Sequence, residues 1–136
     1  MSESVRIRRE VLERMLAEAR RTPHGECCGL LAGRDGVITA IFPAGNALAS
    51  DTAFEIAPAE LFRLFREIRA AGLEHLGIYH SHPAGPNAPS ARDIEHAFYP
   101  DAAYFILSPL LDAPHPIRAF RIRDGAASDL EIKEET

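Results

Sequence analysis

Two histidines placed two residues apart have the clearest potential for chemistry in this sequence of 136 residues. His80 and His82 stand at the end of the apolar run LGIY, which predicts a buried strand that ends at a Gly/Pro-rich turn. Because side chains alternate along a strand, both imidazoles are predicted to point to one face while Ser81 points to the other. Two neutral imidazoles on one face can share a metal ion. The pair therefore predicts a metal site at a strand end.

A carboxylate further along the chain offers a third ligand. Pro83 ends the strand because it cannot donate a ladder hydrogen bond, and the loop AGPNAP leads to Ser90, where a helix is predicted to begin. Asp93 lies in the first turn of that helix. Two histidines and one carboxylate, with a fourth position for water, are typical of a catalytic zinc site. Ser90 and Asp93 also fit a capping box, so the spacing alone leaves a structural and a catalytic role open.

The spacing of these residues matches a family signature. The motif HSHP begins at His80, seven residues separate His82 from Ser90, and two separate Ser90 from Asp93, as in H-S/T-H-x7-S-x2-D. In this motif the sequence resembles the JAMM (MPN+, Mov34/MPN/PAD-1) zinc metalloproteases of the compact prokaryotic type.

The resemblance extends well beyond the motif. The segment PHGECCGLL, which begins at residue 23, resembles the glutamate-bearing strand of the family, and IRAF, which begins at residue 117, resembles the strand that ends its compact members. Together these segments extend the resemblance to roughly residues 5–125. The family fold implies one mixed α/β (α+β) domain over residues 1–136, with a central mixed β-sheet flanked by helices.

A zinc hydrolase also needs a carboxylate beside the metal that is not a ligand, because a proton must leave the attacking water and reach the leaving amine. The candidates are Glu26, Glu55, Glu60, Glu67, Glu74 and Glu95. Glu26 heads an apolar strand, where partial desolvation would shift its pKa, and this favours Glu26 without deciding the choice. The resemblance assigns the roles: His80, His82 and Asp93 as zinc ligands, Glu26 as general base, and Ser90 as a hydrogen-bond donor to the oxyanion.

Three further polar residues lie close to these in sequence or by resemblance. His96 follows Asp93 by three residues and is the rival metal ligand. His24 precedes Glu26 by two residues, which leaves either a surface role or a contact with substrate. Asn46, in the predicted loop PAGNALAS, occupies a position that lies near the site in the family.

Composition and charge argue against several classes of protein and partner. The net charge of −5 argues against nucleic acid as a partner. No apolar run approaches the about 18 residues that span a membrane, and the N-terminus MSESVRIRRE lacks the apolar segment of a secretory signal, so a cytoplasmic location is expected. Cys27 and Cys28 are adjacent, which fits neither a CxxC motif nor a disulfide framework and favours buried strand residues over metal ligands. The six arginines within residues 6–21 indicate a solvated helix face or a docking surface for an acidic partner.

Hydrophobic periodicity and turn residues predict the elements that must position the site. Helices are predicted at about residues 8–21, from Pro58 to Gly72, and from Ser90 to Phe98. Strands are predicted at residues 5–7, 26–33, 37–42, 54–56, 76–82, 101–108, 117–123 and near 130–132, with Asp-Gly turns at residues 35–36 and 124–125.

The resemblance also implies a substrate class. Phe98-Tyr99-Pro100 pass directly into the strand that begins near Asp101, which leaves no room for the inserted segments that clamp ubiquitin in eukaryotic members. Compact relatives act on ubiquitin-like sulfur carriers and cleave after a C-terminal Gly-Gly, so such a carrier is the expected partner. The alternatives are a metal-free scaffold of the MPN type and a general metallopeptidase. The motifs of zinc deaminases and of Ser hydrolases, P-C-x-x-C and G-x-S-x-G, are absent.

Overall fold

A computed structural model describes residues 3–136, in which seven strands form one closed sheet and three helices pack against it. The elements are β1 (Ser4–Arg8), α1 (Arg9–Arg21), β2 (Cys28–Arg34), β3 (Val37–Ala44), α2 (Pro58–Ala70), β4 (Glu74–Ser81), α3 (Ala91–Glu95), β5 (Ala103–Leu107), β6 (Ile117–Arg123) and β7 (Ala126–Glu135). The strand order is β1-β3-β2-β4-β5-β6-β7, and β1 closes the sheet by pairing in parallel with β7. The predicted α+β class with a mixed sheet is confirmed. None of the helices within residues 3–136 has the length and apolar character needed to span a membrane.

Glycine and proline set several of the predicted boundaries. Both Asp-Gly turns have two residues in the left-handed region, with φ of 53° and 76° at Asp35 and Gly36, as a two-residue type I′ hairpin requires. Pro58 occupies the first turn of α2, and Gly72, with φ of 71°, follows its C-cap. These local predictions are confirmed. Each of them depends only on the backbone conformations that one or two residues can adopt.

The predicted strand at residues 54–56 is wrong. This segment belongs to no helix or strand, although Phe54 and Ile56 do pack against the core as apolar strand residues would. Its backbone is held by the preceding loop instead. The Glu55 N–H donates to Asn46 Oδ1 (3.1 Å), and the Glu55 carbonyl accepts from the Ala47 N–H (2.8 Å). Asn46 Nδ2 donates to the carbonyl of the neighbouring Ala53 (2.9 Å). An asparagine side chain thus satisfies the segment locally, as in many turns.

Several element ends also differ from expectation; β2, for example, begins at Cys28 rather than at Glu26. Helix α3 ends at Glu95 rather than at residue 98, and Phe98 is 71% exposed. The last strand is longer than predicted, because β7 pairs with β6 on one side and with β1 on the other. Barrel closure therefore orders a segment whose own hydrophobic pattern is short.

The two sides of the sheet bury different clusters. The α1 face is the side on which Leu31, Tyr79 and Phe105 pack against helix α1. The α2 face is the side on which Leu30, Ile78 and Ile106 pack against helix α2. Alternation along β4 places His80 on the same side as Ile78, so the candidate site lies at one end of the α2 face.

Candidate metal centre

The two histidines of the motif stand at the end of the central strand β4, His80 within it and His82 directly after its last residue. His80 lies opposite Cys28 of β2 and Ile106 of β5, so its backbone is fixed from both sides, and its side chain is buried. Ser81 points the other way, as predicted, and its Oγ accepts a hydrogen bond from the Cys27 N–H (2.9 Å). The role of Ser81 is therefore to tie β4 to the segment before β2.

Three side chains bring their donor atoms to one point. The Nε2 atoms of His80 and His82 are 3.1 Å apart, Asp93 Oδ2 lies 3.1 Å from His82 Nε2, and Asp93 Oδ1 lies 3.3 Å from His80 Nε2. A tetrahedral zinc with bonds of about 2.0–2.1 Å separates its ligand atoms by about 3.3–3.4 Å. The three residues thus lie at close to the spacing that such an ion requires.

The protonation states of the two histidines favour metal binding. The Pro86 carbonyl accepts a hydrogen bond from His82 Nδ1 (2.9 Å), which directs Nε2 toward Asp93. Burial lowers the pKa of His80, so its ring is held neutral. Burial also opposes the charged form of His82, but hydrogen bonds to Asp93 and Pro86 outweigh it and raise the pKa of this residue. A metal ion would replace the proton that His82 Nε2 otherwise shares with Asp93.

Asp93 is oriented by the helix on which it stands. Its Oδ2 accepts a hydrogen bond from the Ser90 N–H (2.9 Å), while the Asp93 N–H donates to Ser90 Oγ (3.0 Å), so the capping box is present. Burial would raise the pKa of Asp93, but hydrogen bonds with the two imidazoles outweigh it and hold that pKa well below its usual range. The cap fixes an ionised carboxylate against the histidine pair.

Glu26 approaches the same pair from another segment. It lies two residues before β2, where its N–H donates to the Ser50 carbonyl (3.0 Å), and its side chain is only 5% exposed. One donor atom each of Glu26, His80 and His82 lies within 4.8 Å of the others, and Glu26 Oε1 is buried with no hydrogen-bond partner. Burial raises the pKa of Glu26 to about 7, against the opposing charge of His82.

Other predicted candidates do not join this donor group, although His96 lines a cavity together with His80 and Asp93. His24 and His96 are exposed, and His96 Nδ1 is within 3.0 Å of the Arg92 carbonyl oxygen. Glu60 and Glu67 both pair with Arg63 on the solvated side of α2.

Two residues that support the site have roles that the sequence did not reveal. Asn46 Nδ2 also donates to the Glu26 carbonyl (3.3 Å), so the family-based expectation that Asn46 lies near the site acquires a physical role. The ring of Phe54 stacks on His80, with 4.5 Å between centroids. The sequence did not predict this stack, because the alternation of apolar residues placed Phe54 in a strand. Its signal was a single aromatic residue in the segment between β3 and α2.

Comparison with known proteins identifies the family. Residues 8–123 match the sequence model described as prokaryotic homologs of the JAB domain. The chain belongs to this family. The resemblance to JAMM/MPN proteins predicted from the motif is confirmed.

Relatives agree with this assignment. The chain is 35% identical over 125 residues to the CysO-cysteine peptidase of Mycobacterium tuberculosis, covering 90% of this chain and 86% of that protein. It is 40% identical over 90 residues to the desampylase of Haloferax volcanii, covering 64% of this chain and 65% of that protein.

Solved structures agree in fold. A solution structure of a Desulfitobacterium hafniense protein superposes with a TM-score of 0.82 at 35% identity, covering 96% of this chain and 92% of that one. A JAB1/MPN domain protein from Archaeoglobus fulgidus matches with a TM-score of 0.62 at 21% identity, covering 96% and 98% of the two chains, and shows the shared fold alone.

Proposed function

We propose that this chain is a zinc-dependent peptidase or isopeptidase that hydrolyses the bond after the C-terminal Gly-Gly of a ubiquitin-like or sulfur-carrier protein. The observation that supports it most directly is the cluster of the His80 and His82 Nε2 atoms with the two carboxylate oxygens of Asp93, at contacts of 3.1–3.3 Å. Beside this cluster lies a buried Glu26 oxygen that has no hydrogen-bond partner. The names of the relatives, CysO-cysteine peptidase and desampylase, support a peptidase that acts on carrier conjugates.

In this proposal His80, His82 and Asp93 hold the metal. The Asp93 carboxylate contacts both imidazoles, with Oδ2 3.1 Å from His82 Nε2 and Oδ1 3.3 Å from His80 Nε2. One oxygen of Glu26 also lies within 4.8 Å of a nitrogen of each histidine. The direct contacts favour Asp93 as the third ligand, which leaves Glu26 to act on a water molecule. Zinc in such a site polarises a scissile carbonyl and makes a water molecule acidic enough to lose its proton near neutral pH.

Glu26 moves the proton. Its Oε1, buried and without a partner, takes the proton from the attacking water and passes it to the leaving amine, since one carboxylate beside both atoms can serve as base and then as acid. Asn46 and Ser50 hold the Glu26 backbone, so the carboxylate stays aimed at the histidine pair.

The capping role of Ser90 leaves its hydroxyl proton available for a second role. In the capping box Ser90 Oγ accepts a hydrogen bond, which occupies a lone pair but not the hydroxyl proton. That proton remains free to donate to the developing oxyanion. Capping and catalysis therefore use different parts of one hydroxyl group.

The buried position of the site favours a substrate with a slender, extended tail. A Gly-Gly tail has no side chains and can lie extended against neighbouring backbone, so it can reach a buried centre at the end of a strand. Only residues 96–102 separate α3 from β5, which is too short a connection to hold an inserted segment that would cover the site.

The experiment uses a carrier–protein fusion joined through Gly-Gly and a matched fusion joined through Ala-Ala. We expect cleavage of the first only, inhibition by a chelator, and about one zinc per chain by elemental analysis. The variant His82→Ala should lose both the zinc and the cleavage, whereas His96→Ala, which removes the rival ligand, should keep the zinc. Equal cleavage of both fusions would favour a general metallopeptidase, and a zinc-free wild type would favour the scaffold.

A cytoplasmic location and one functional domain over residues 1–136 also belong to this proposal. Cell fractionation tests the location. Limited proteolysis tests the domain, because a single domain should yield one protected fragment.

A further inference from the structure

The loop between β4 and α3 begins with one of the proposed metal ligands, His82. The His82 N–H donates to the Leu107 carbonyl (2.8 Å), which joins the start of the loop to β5. Within residues 3–136, however, no backbone–backbone hydrogen bond involves residues 83–89, and three of these seven residues are prolines, which have no N–H. The rest of the loop therefore depends on side chains for its position.

Asn87 has the only polar side chain among residues 83–89. Its Nδ2 donates to the His115 carbonyl (2.8 Å) and lies 3.3 Å from the Ile106 carbonyl oxygen, to which it also donates. An amide nitrogen carries two hydrogens, so both bonds can form at once. Ile106 belongs to β5, and His115 belongs to the connection between β5 and β6. The Asn87 side chain thus anchors the loop to the strand that pairs with β4.

The residue before Asn87 contacts the metal ligand. The Pro86 carbonyl accepts a hydrogen bond from His82 Nδ1 (2.9 Å), which leaves His82 Nε2 directed toward His80 and Asp93. The carbonyl group of Pro86 and the nitrogen of Asn87 belong to one planar peptide unit. A side chain that fixes Asn87 therefore also fixes the oxygen that orients the His82 ring.

The two histidines differ in how they are supported. His80 lies within β4, its side chain is 2% exposed, and the ring of Phe54 stacks on it. His82 lies beyond the strand end, and its side chain is 14% exposed. The orientation of the His82 ring therefore depends more on the loop than that of His80 does.

We propose that Asn87 is a positioning residue of the metal centre, which holds the Pro86 carbonyl against His82 and thereby strengthens zinc binding. The inference rests on the proposed function, because it takes His82 as a zinc ligand. Asn87 itself touches neither the metal nor the substrate in this assignment. Its effect passes through one peptide unit and one hydrogen bond to a ligand.

The first test measures metal affinity. Asn87→Leu keeps a side chain of similar volume but removes both donors, and Asn87→Ala removes the side chain beyond Cβ. The dissociation constant for zinc is measured on the metal-free proteins by competition with a chelator. We expect it to rise about tenfold in both variants, at the low end of the roughly 10- to 100-fold effect of groups that orient metal ligands directly, because Asn87 acts one residue further away.

Cobalt provides a readout that does not depend on activity. The visible absorption bands of Co²⁺ bound in place of zinc depend on the geometry of its ligands. We expect these bands to shift in Asn87→Leu and Asn87→Ala at saturating cobalt. A merely structural role of Asn87 would lower the thermal denaturation midpoint and leave the bands unchanged.

Arg34→Met is the matched control. Arg34 Nη2 donates to the Ala71 carbonyl (3.1 Å), so this variant also removes a bond from a side chain to a backbone carbonyl. Arg34 lies at the far end of β2 from Cys28, which pairs with His80, and the length of the strand between them is roughly 20 Å. We expect the dissociation constant for zinc and the cobalt bands of this variant to equal those of the wild type. Circular dichroism establishes that each variant is folded.

The outcomes separate the two proposals. A dissociation constant within about twofold of the wild type in both Asn87 variants, or an equal rise in Arg34→Met, would overturn the role of Asn87 and leave the proposed function intact. A wild type that binds no zinc would overturn the proposed function and this inference with it.

Discussion

The two faces of the sheet share strand β4 but satisfy their polar groups differently. Tyr79, on the α1 face, is fully buried, and its hydroxyl donates to Glu18 Oε2 at 2.6 Å. Gly29 makes space for that ring, because a Cβ there would lie 2.6 Å from the Tyr79 hydroxyl oxygen. The buried polar group on this face thus has its partner within the chain.

His80, the next residue along β4, has a buried side-chain atom without a hydrogen-bond partner. Within residues 3–136, three buried side-chain atoms lack a hydrogen-bond partner, and two of them are His80 Nδ1 and Glu26 Oε1 at the candidate centre. The third, Arg121 Nε, is 3.9 Å from Glu3 Oε2 at the surface. Buried polar groups in folded proteins are nearly all paired. The contrast indicates that the α1 face stabilises the fold and the α2 face is arranged for a partner from outside.

The largest expected effect concerns activity on the α2 face. Glu26→Gln should lower kcat by roughly 10²–10⁴-fold, because an amide cannot take up the water proton. Zinc content and the denaturation midpoint should stay near those of the wild type. Turnover within about threefold of the wild type would assign the proton transfer to another group.

The matching prediction on the α1 face concerns stability. Phe105→Ala should lower the free energy of unfolding by about 3–5 kcal/mol, since Phe105 is fully buried among the residues that pack on α1. Urea denaturation measures this loss, with the exposed Phe62→Ala as a control that should change little. Zinc bound per folded molecule should be unchanged, and its loss would show that the two faces are coupled.

Ser90→Ala tests a residue with two proposed roles. We expect a loss of about 1 kcal/mol in the free energy of unfolding for the cap, and a fall in kcat of roughly 10²–10³-fold for the oxyanion contact. Thermal denaturation and steady-state kinetics separate the two. A stability loss with unchanged kcat would leave Ser90 as a cap alone.

The smallest expected effect is a pH dependence on the α1 face. Burial raises the pKa of Glu18 above 4.5, with the Tyr79 hydrogen bond opposing this shift. Because the folded pKa is the higher one, the stability that this group contributes is greatest below the unfolded pKa and is lost as the pH rises through the folded value. Relative to Glu18→Gln, the wild type should therefore lose stability as the pH rises from about 4 to about 7 in denaturant titrations. A difference that does not change with pH would contradict the shift.

Some features were predictable because each depends on a few neighbouring residues. The type I′ turns, Pro58 at the start of α2, Gly72 after its end and the capping box of Ser90 with Asp93 were all expected from local conformational preference. The conformation of residues 54–56 was not predictable in this way. Its hydrogen bonds come from an earlier loop that includes Asn46, rather than from a neighbouring strand.

The sequence by itself determined that His80 and His82 face together, because side chains alternate along a strand. The resemblance to the family added Asp93 and Glu26 as expectations, since spacing alone left the role of Asp93 and the choice of glutamate open. Only the tertiary structure decided which acidic side chains lie beside the histidine pair. The antiparallel pairing of β2 with β4 places Cys28 opposite His80 and so brings Glu26 to the histidine pair from 54 positions earlier in the chain. The cavity beside His80 also arises from packing between the sheet, α2 and the segment after α3, because an empty volume is a property of how distant elements meet.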